Sequence, residues 1–261
     1  MQLRQWGSLS CSPTGYYSAF LRSPPASIQK VFYLAVLAWV AGLVIDVTHT
    51  ERAMGHLLSY VFPVIALLWL GWRLITGGPS AADVAAMVCL YAAAILVFWR
   101  VAATARSADV ETDSRYALLP SILVIVAAMA SGFVAVIGAS ASLAQLALAL
   151  GFAAGGYLFW NYIAYLRRGQ TFTFGATGAF GAAGIWLVLI DVMALFATRV
   201  SRWALLLAVL VFAADLVVRR VALEGHWARW LNPVLYGVLV ALPAVAAIVI
   251  ATVTADPGSE Y

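Results

Sequence analysis

The chain has 261 residues, of which 64% are hydrophobic and only 10% are charged. Soluble domains carry roughly 25% charged residues, so this composition excludes an ordinary soluble protein and predicts an integral membrane protein. The 15 basic and 11 acidic residues give a formal charge of +4. The basic residues come singly or in pairs and form no basic face, so we expect no nucleic-acid partner.

The apolar runs have the length and continuity of membrane helices. A bilayer crossing needs about 20 apolar residues in a helix, whereas strands of a membrane barrel would alternate apolar and polar residues. We therefore predict an all-α, polytopic transmembrane helical bundle with about eight spans, at 31–48, 58–76, 82–102, 117–137, 141–166, 174–197, 203–219 and 231–253.

Three regions follow from this division of the chain. We predict an N-terminal extramembrane segment (1–30), a transmembrane helical domain (31–253) and a short C-terminal tail (254–261). The first region has no apolar core typical of a cleavable signal peptide, and we expect none. Nine Lys and Arg residues follow the odd-numbered spans and six lie on the other side, which places both termini outside. We predict a bacterial inner (plasma) membrane, with the lipid bilayer as partner and other membrane subunits or a homo-oligomer left open.

A compact polar group follows the first span, in the stretch "IDVTHTERAMGH". It contains Asp46, His49, Glu51 and His56, and His226 lies in the loop after the seventh span, on the same side of the membrane. Imidazole and carboxylate groups suit Zn, Fe or Mn, or a proton relay, so these five residues are candidate metal ligands. Their spacing matches no specific metal motif, and the alternative is a set of solvated interfacial residues.

The fifth and sixth spans carry an amide and a series of glycines. Asn161, in "YLFWNYIAYLRR", is expected to hydrogen-bond across helices or to line a pocket. Small residues let helix backbones approach closely in lipid. We therefore predict helix-packing positions at Gly151 and Gly155 of the fifth span and at Gly175, Gly178, Gly181 and Gly184 of the sixth. The sixth span is expected to pack against the fifth or to move past it.

Asp191 interrupts the apolar run "IWLVLIDVMAL" of the sixth span. It comes roughly two-thirds of the way across, at 1.5 Å per residue, where a charge costs at least a few kcal/mol unless it is paired, neutralised or hydrated. The residues three and four positions away on either side are all apolar. A partner must then come from another helix, and the candidates are Asn161, Tyr91 or a Trp N–H. The alternative is a proton or cation site.

Asp215 lies near the end of the seventh span, in "VFAADLVVRRV". Arg219 follows four residues later, the spacing and order that favour an ion pair on one helix face. We predict a structural or gating pair within this span.

Two cofactors, retinal and buried haem, are disfavoured by the positions of lysine and histidine. The only lysine, Lys30, precedes the first predicted span, and a retinal Schiff base needs a lysine inside the bundle, so no retinal is expected. No histidine lies in the middle of a span, which disfavours buried haem. The cofactor, if there is one, is unknown from the sequence.

Three functions are compatible with these features. The first is a transporter or channel-like protein, coupled to protons or cations through the embedded Asp191. The second is a membrane-embedded, metal-dependent enzyme that acts on a lipid or a small hydrophobic substrate. The third is a non-catalytic subunit or sensor module of a larger complex. The unpaired carboxylate and the glycine series favour the transporter.

Overall fold

The computed structural model describes residues 27–48, 51–109, 116–138, 140–168, 172, 174–197, 199–221 and 228–255. The predicted all-α fold is confirmed, since this part of the chain contains no strand. The helices are α1 (Ser27–Thr48), α2 (Glu51–Thr76), α3 (Ala81–Asp109), α4 (Leu119–Ile137), α5 (Ala141–Arg168), α6 (Gly175–Phe196), α7 (Arg202–Leu210), α8 (Asp215–Val218) and α9 (Ala228–Thr254).

Seven of these helices, α1 to α6 and α9, are long and apolar enough to cross a membrane. They correspond to seven of the eight predicted spans. The other predicted span, 203–219, is helical but interrupted: α7 and α8 are separated by a 3-10 turn at Val211–Ala213. At this point the N–H of Ala214 bonds to the carbonyl of Val211, three residues back, which tightens the helix. The chain therefore changes its helical geometry immediately before Asp215.

Helices α4 and α6 form the centre of the bundle, and most of their residues are buried. Helices α1, α3 and α9 bury a much smaller share of their spanning residues. Their outer faces carry large apolar side chains such as Val40 on α1 and Val245 on α9. In a bilayer these faces contact lipid, so exposed apolar side chains carry no free-energy penalty there.

The closest helix pair is α1 with α6, and glycines make the approach possible. A Cβ atom added at Gly42 would lie 2.8 Å from the Cα of Thr177, and one at Gly184 would lie 2.7 Å from the Cβ of Ala38. These contacts show that the two helices run antiparallel. The glycine series of the sixth predicted span thus packs chiefly against α1, whereas packing against the fifth span, α5, was expected.

This contact fixes which ends of the helices share a side of the membrane. We call the side where α1 begins and α6 ends the lysine side, because Lys30 lies in the first turn of α1. The opposite side, where α1 ends and α6 begins, is called the arginine side, because Arg219 lies there. The first helix begins four residues before the predicted span, so Lys30 is part of it.

We expect Gly42→Ala to destabilise the protein, because the added methyl group would meet the backbone of α6. Overpacking of this kind costs about 1–3 kcal/mol. The matched control is Gly156→Ala on α5, where an added Cβ meets nothing within 4 Å. Thermal unfolding in detergent should show a lower apparent melting temperature for Gly42→Ala than for wild type, and no decrease for Gly156→Ala. Equal melting temperatures of the two variants would contradict the tight α1–α6 contact.

Candidate functional site

Asp191 is buried in α6 and is 3% exposed. Its neighbours along the helix, from Leu187 to Met193, are also buried. Within the part of the chain that the structure describes, no hydrogen bond or ion pair reaches its carboxyl group. A buried ionised carboxylate without a partner costs several kcal/mol, so a negative charge at Asp191 is costly.

Asn161, one of the interhelical partners considered for Asp191, is engaged elsewhere, and so is the indole of Trp186 on α6 itself. Tyr91 makes no hydrogen bond to Asp191 among the described residues. The indole N–H of Trp186 donates to the Oγ of Ser131 on α4, at 3.1 Å. Asn161 joins α5 to the segment that precedes α6: its Nδ2 donates to the carbonyl oxygen of Phe172 at 2.8 Å, and its Oδ1 accepts from the N–H of Phe172 at 2.9 Å. These two bonds fix the connection to α6 and do not involve Asp191.

The packing of α1 against α6 places Lys30 at the same membrane level as Asp191. Asp191 follows Gly184 by seven residues, which is about two helical turns on the same face. Because α1 is antiparallel, the level seven residues before Ala38 is the turn that contains Lys30. Lys30 is half-buried as a residue, and its Nζ donates to the carbonyl oxygen of Trp69 on α2, at 2.9 Å, in an exposed position. The structure therefore shows no Lys30–Asp191 ion pair, although both groups lie at one level.

A second buried charge cluster connects α3 to α8. The carboxylate of Asp215, which has no exposed surface, accepts from the Nε of Arg100 at 3.0 Å. The Nη2 of Arg100 donates to both carboxylate oxygens. This is a bidentate pair, the strongest geometry available to an arginine and a carboxylate. It joins two helices 115 residues apart in the chain.

Arg219, the predicted partner of Asp215, lies farther from its carboxylate than Arg100 does. The Nε of Arg219 is 3.6 Å from the Oδ2 of Asp215, and its guanidinium lies 5.9 Å from the centre of the Tyr116 ring. Arg100 is the partner that was not predicted from the sequence. Its position inside the predicted span 82–102 was the available signal. Two guanidinium groups thus lie beside one carboxylate.

The candidate metal ligands are only partly covered by the structure. Asp46 caps the start of α6: its carboxylate accepts from the N–H of Ala176 at 2.7 Å, and from the N–H of Thr177 at 2.8 Å and the hydroxyl of the same residue. A carboxylate is favourable at a helix N-terminus because it satisfies free N–H groups and the helix dipole. The other candidates, or their side chains, lie outside the described residues: His49, Glu51, His56 and His226. The described residues contain no group of three possible metal ligands.

The remaining predicted packing glycines have different surroundings. A Cβ at Gly151 would lie 3.1 Å from the sulfur of Met129 on α4, whereas Gly155 faces open space. Gly175 has a positive φ of 63° at the start of α6, beside the carboxylate of Asp46. A Cβ at Gly178 would meet the ring of Phe174, in the preceding turn. Gly181 packs on Trp39 of α1.

Seven apolar helices of spanning length define a polytopic helical membrane protein. No family model matches the chain, and the searches of curated proteins and of solved structures find no match.

We expect Asp215→Asn and Arg100→Met each to lower the stability strongly. Breaking a buried pair leaves a charge without its partner, which costs roughly 3–5 kcal/mol. The double variant Arg100→Met/Asp215→Leu should lose less than the sum of the two single losses, because neither charge then remains. Unfolding titrations in mixed micelles would measure all three variants.

The control for this cycle is Arg220→Met, since Arg220 is exposed. A surface change of this kind alters stability by about 0.5 kcal/mol or less. Strictly additive losses in the double variant would show that the Arg100–Asp215 contact does not couple the two helices.

Proposed function

We propose that this protein is a transporter, placed in a bacterial inner membrane, in which Asp191 carries the coupling proton or cation. The observation that supports the proposal is the burial of this carboxyl group without a hydrogen-bond or ion-pair partner among the described residues. A structural carboxylate in lipid is normally paired, as Asp215 is. An intramembrane ionisable residue without such a pair is a functional site by default.

Lys30 supplies the counter-charge in this proposal. While Asp191 holds a proton or cation, the ammonium group of Lys30 keeps its hydrogen bond to the carbonyl oxygen of Trp69. When the ion leaves, the carboxylate becomes negative and attracts the ammonium group at the same level. The lysine side chain is long and flexible, so in this proposal it leaves Trp69 and turns toward Asp191.

The Arg100–Asp215 pair closes the arginine side of the path in the same proposal. Phe98 on α3 stacks on Phe180 of α6, so Arg100 lies near the level of residue 178. Asp191 is thirteen residues farther along α6, about 20 Å away at 1.5 Å per residue. The two charge sites are therefore near opposite sides of the membrane. The 3-10 turn before Asp215 is a point where the helix can bend, as interrupted helices do in transporters.

Asp191→Asn is expected to abolish cation movement, because an amide cannot release a proton or balance a cation. The measurement is flux of protons and, separately, of sodium into proteoliposomes under an imposed potassium diffusion potential. Asp191→Glu keeps the carboxyl group and is the matched control, which should retain part of the flux. Equal fluxes in wild type and Asp191→Asn would overturn the proposal, and so would wild-type fluxes no greater than those of protein-free liposomes.

Lys30→Met is expected to slow the same flux without abolishing it, since the carboxyl group remains but its returning counter-charge is lost. Arg73→Met is the control, because Arg73 is an exposed cation in the last turn of α2, on the same side of the membrane. Removing Arg73 should change the flux little. A similar decrease in both variants would assign the effect to the general surface potential rather than to Lys30.

A further inference from the structure

An apolar groove of about 350 Å³ lies between α4, α5 and α9. Its walls include Ile122 and Val126 of α4, Gly155 and Phe159 of α5, and Val234 and Gly237 of α9. These residues lie toward the start of α4, the end of α5 and the start of α9, so the groove is in the half of the membrane nearest the arginine side. It is separate from Asp191.

Two glycines on facing walls keep this groove open. A Cβ atom added at Gly155 or at Gly237 would meet nothing within 4 Å. The contrast is with Gly151, one turn earlier on α5, where an added Cβ would touch Met129. Glycines in membrane helices commonly serve close packing, but a methyl group at either of these two would touch nothing. Their missing side chains leave a space between helices.

The groove is continuous with the lipid-facing surface of the protein. Phe159 and Val234 line it and are 66% and 57% exposed, respectively, so its rim belongs to the apolar surface that contacts the bilayer. None of the described residues that line it carries a charged side chain. The hydroxyl of Tyr162, the only side-chain hydroxyl among its lining residues, donates to the carbonyl oxygen of Trp230 at 3.4 Å. An occupant must therefore be uncharged and apolar where it touches the protein.

We propose that this groove binds one hydrocarbon chain of a bilayer phospholipid, from the leaflet on the arginine side. The volume is near the lower end of ligand sites, roughly 300–1,000 Å³, which suits a single flexible chain. A packed helix is about 10 Å across and would need a wider trough. This lipid site goes beyond the proposed transport function, because it depends only on the membrane-spanning fold and not on Asp191.

The test uses the full-length protein in nanodiscs that contain a phosphatidylcholine with a diazirine in its acyl chain. After photolysis, peptide mass spectrometry locates the labelled residues. Wild type should be labelled preferentially at the groove, around Ile122, Phe159 and Val234, compared with exposed residues of α1 such as Val36 and Val40. Groove labelling no greater than on α1 would overturn the site.

Filling the groove provides the second arm of the test. Gly155→Leu and Gly237→Leu should each reduce groove labelling severalfold, since the new side chains occupy the space of the lipid chain. Gly156→Leu is the matched control, because Gly156 is also on α5 and also faces open space but does not line the groove. It should leave the labelling unchanged.

Folding and occupancy are followed separately from labelling. Melting temperatures close to that of wild type show that the leucine variants are folded, and Gly155→Ala and Gly237→Ala provide smaller fillers if either leucine unfolds the protein. Unchanged groove labelling in folded leucine variants would overturn the proposal. Protection of the groove by a second copy of the chain, seen as a dimer in the nanodisc mass, would also overturn it.

Discussion

The close contact of α1 with α6 determines where the charged groups of this protein lie. At Gly42 the two backbones are so near that an added methyl group would meet main-chain atoms of α6. No hydrophobic drive holds helices together in lipid, so such contacts depend on dispersion between closely packed backbones. This contact brings Asp46 to the free N–H groups at the start of α6, and it brings the turn with Lys30 to the level of Asp191. One antiparallel packing therefore organises both sides of the membrane.

The bilayer makes every internal polar group costly, so the way each one is satisfied is informative. Asp46 accepts hydrogen bonds from the start of α6, Asn161 holds the segment before it, and Asp215 is paired with Arg100. Each of these groups has a structural explanation. Asp191 has no such partner among the described residues, although it lies on the most buried of the spanning helices. The transport proposal rests on this contrast among carboxylates that share one apolar solvent.

Much of the fold could be predicted from the sequence because the hydrocarbon core of a bilayer requires long apolar helices. Long, continuous apolar runs predict spanning helices, and their boundaries agree with the structure within a few residues for most spans. The same property hides the interior of the bundle, since lipid-facing and buried faces are equally apolar. The central position of α4 and α6 was therefore not predictable. The choice of α1 as the partner of the glycine series also depends on tertiary packing.

The candidate site was predictable in part for the same reason. Asp191 stands out because a charge is rare in an apolar run, and its local sequence offers no partner. Asp215 was recognised too, but only with Arg219, since reasoning from helix spacing finds partners within one helix. Arg100 is 115 positions away and joins Asp215 only when α3 packs beside the α7–α8 segment. The 3-10 turn before Asp215 has no distinctive signal such as proline or glycine in its sequence.

The most direct measurement of the central claim is infrared difference spectroscopy of the protein in lipid, comparing wild type with Asp191→Asn. The comparison isolates the carboxyl band of Asp191 while the pH and the sodium concentration are varied. If Asp191 carries the coupling ion, its band converts between a protonated or cation-bound form and a free carboxylate form as the pH or the sodium concentration is changed. A carboxylate band that responds to neither would show that Asp191 is a permanently paired structural group and not the site of the coupling ion.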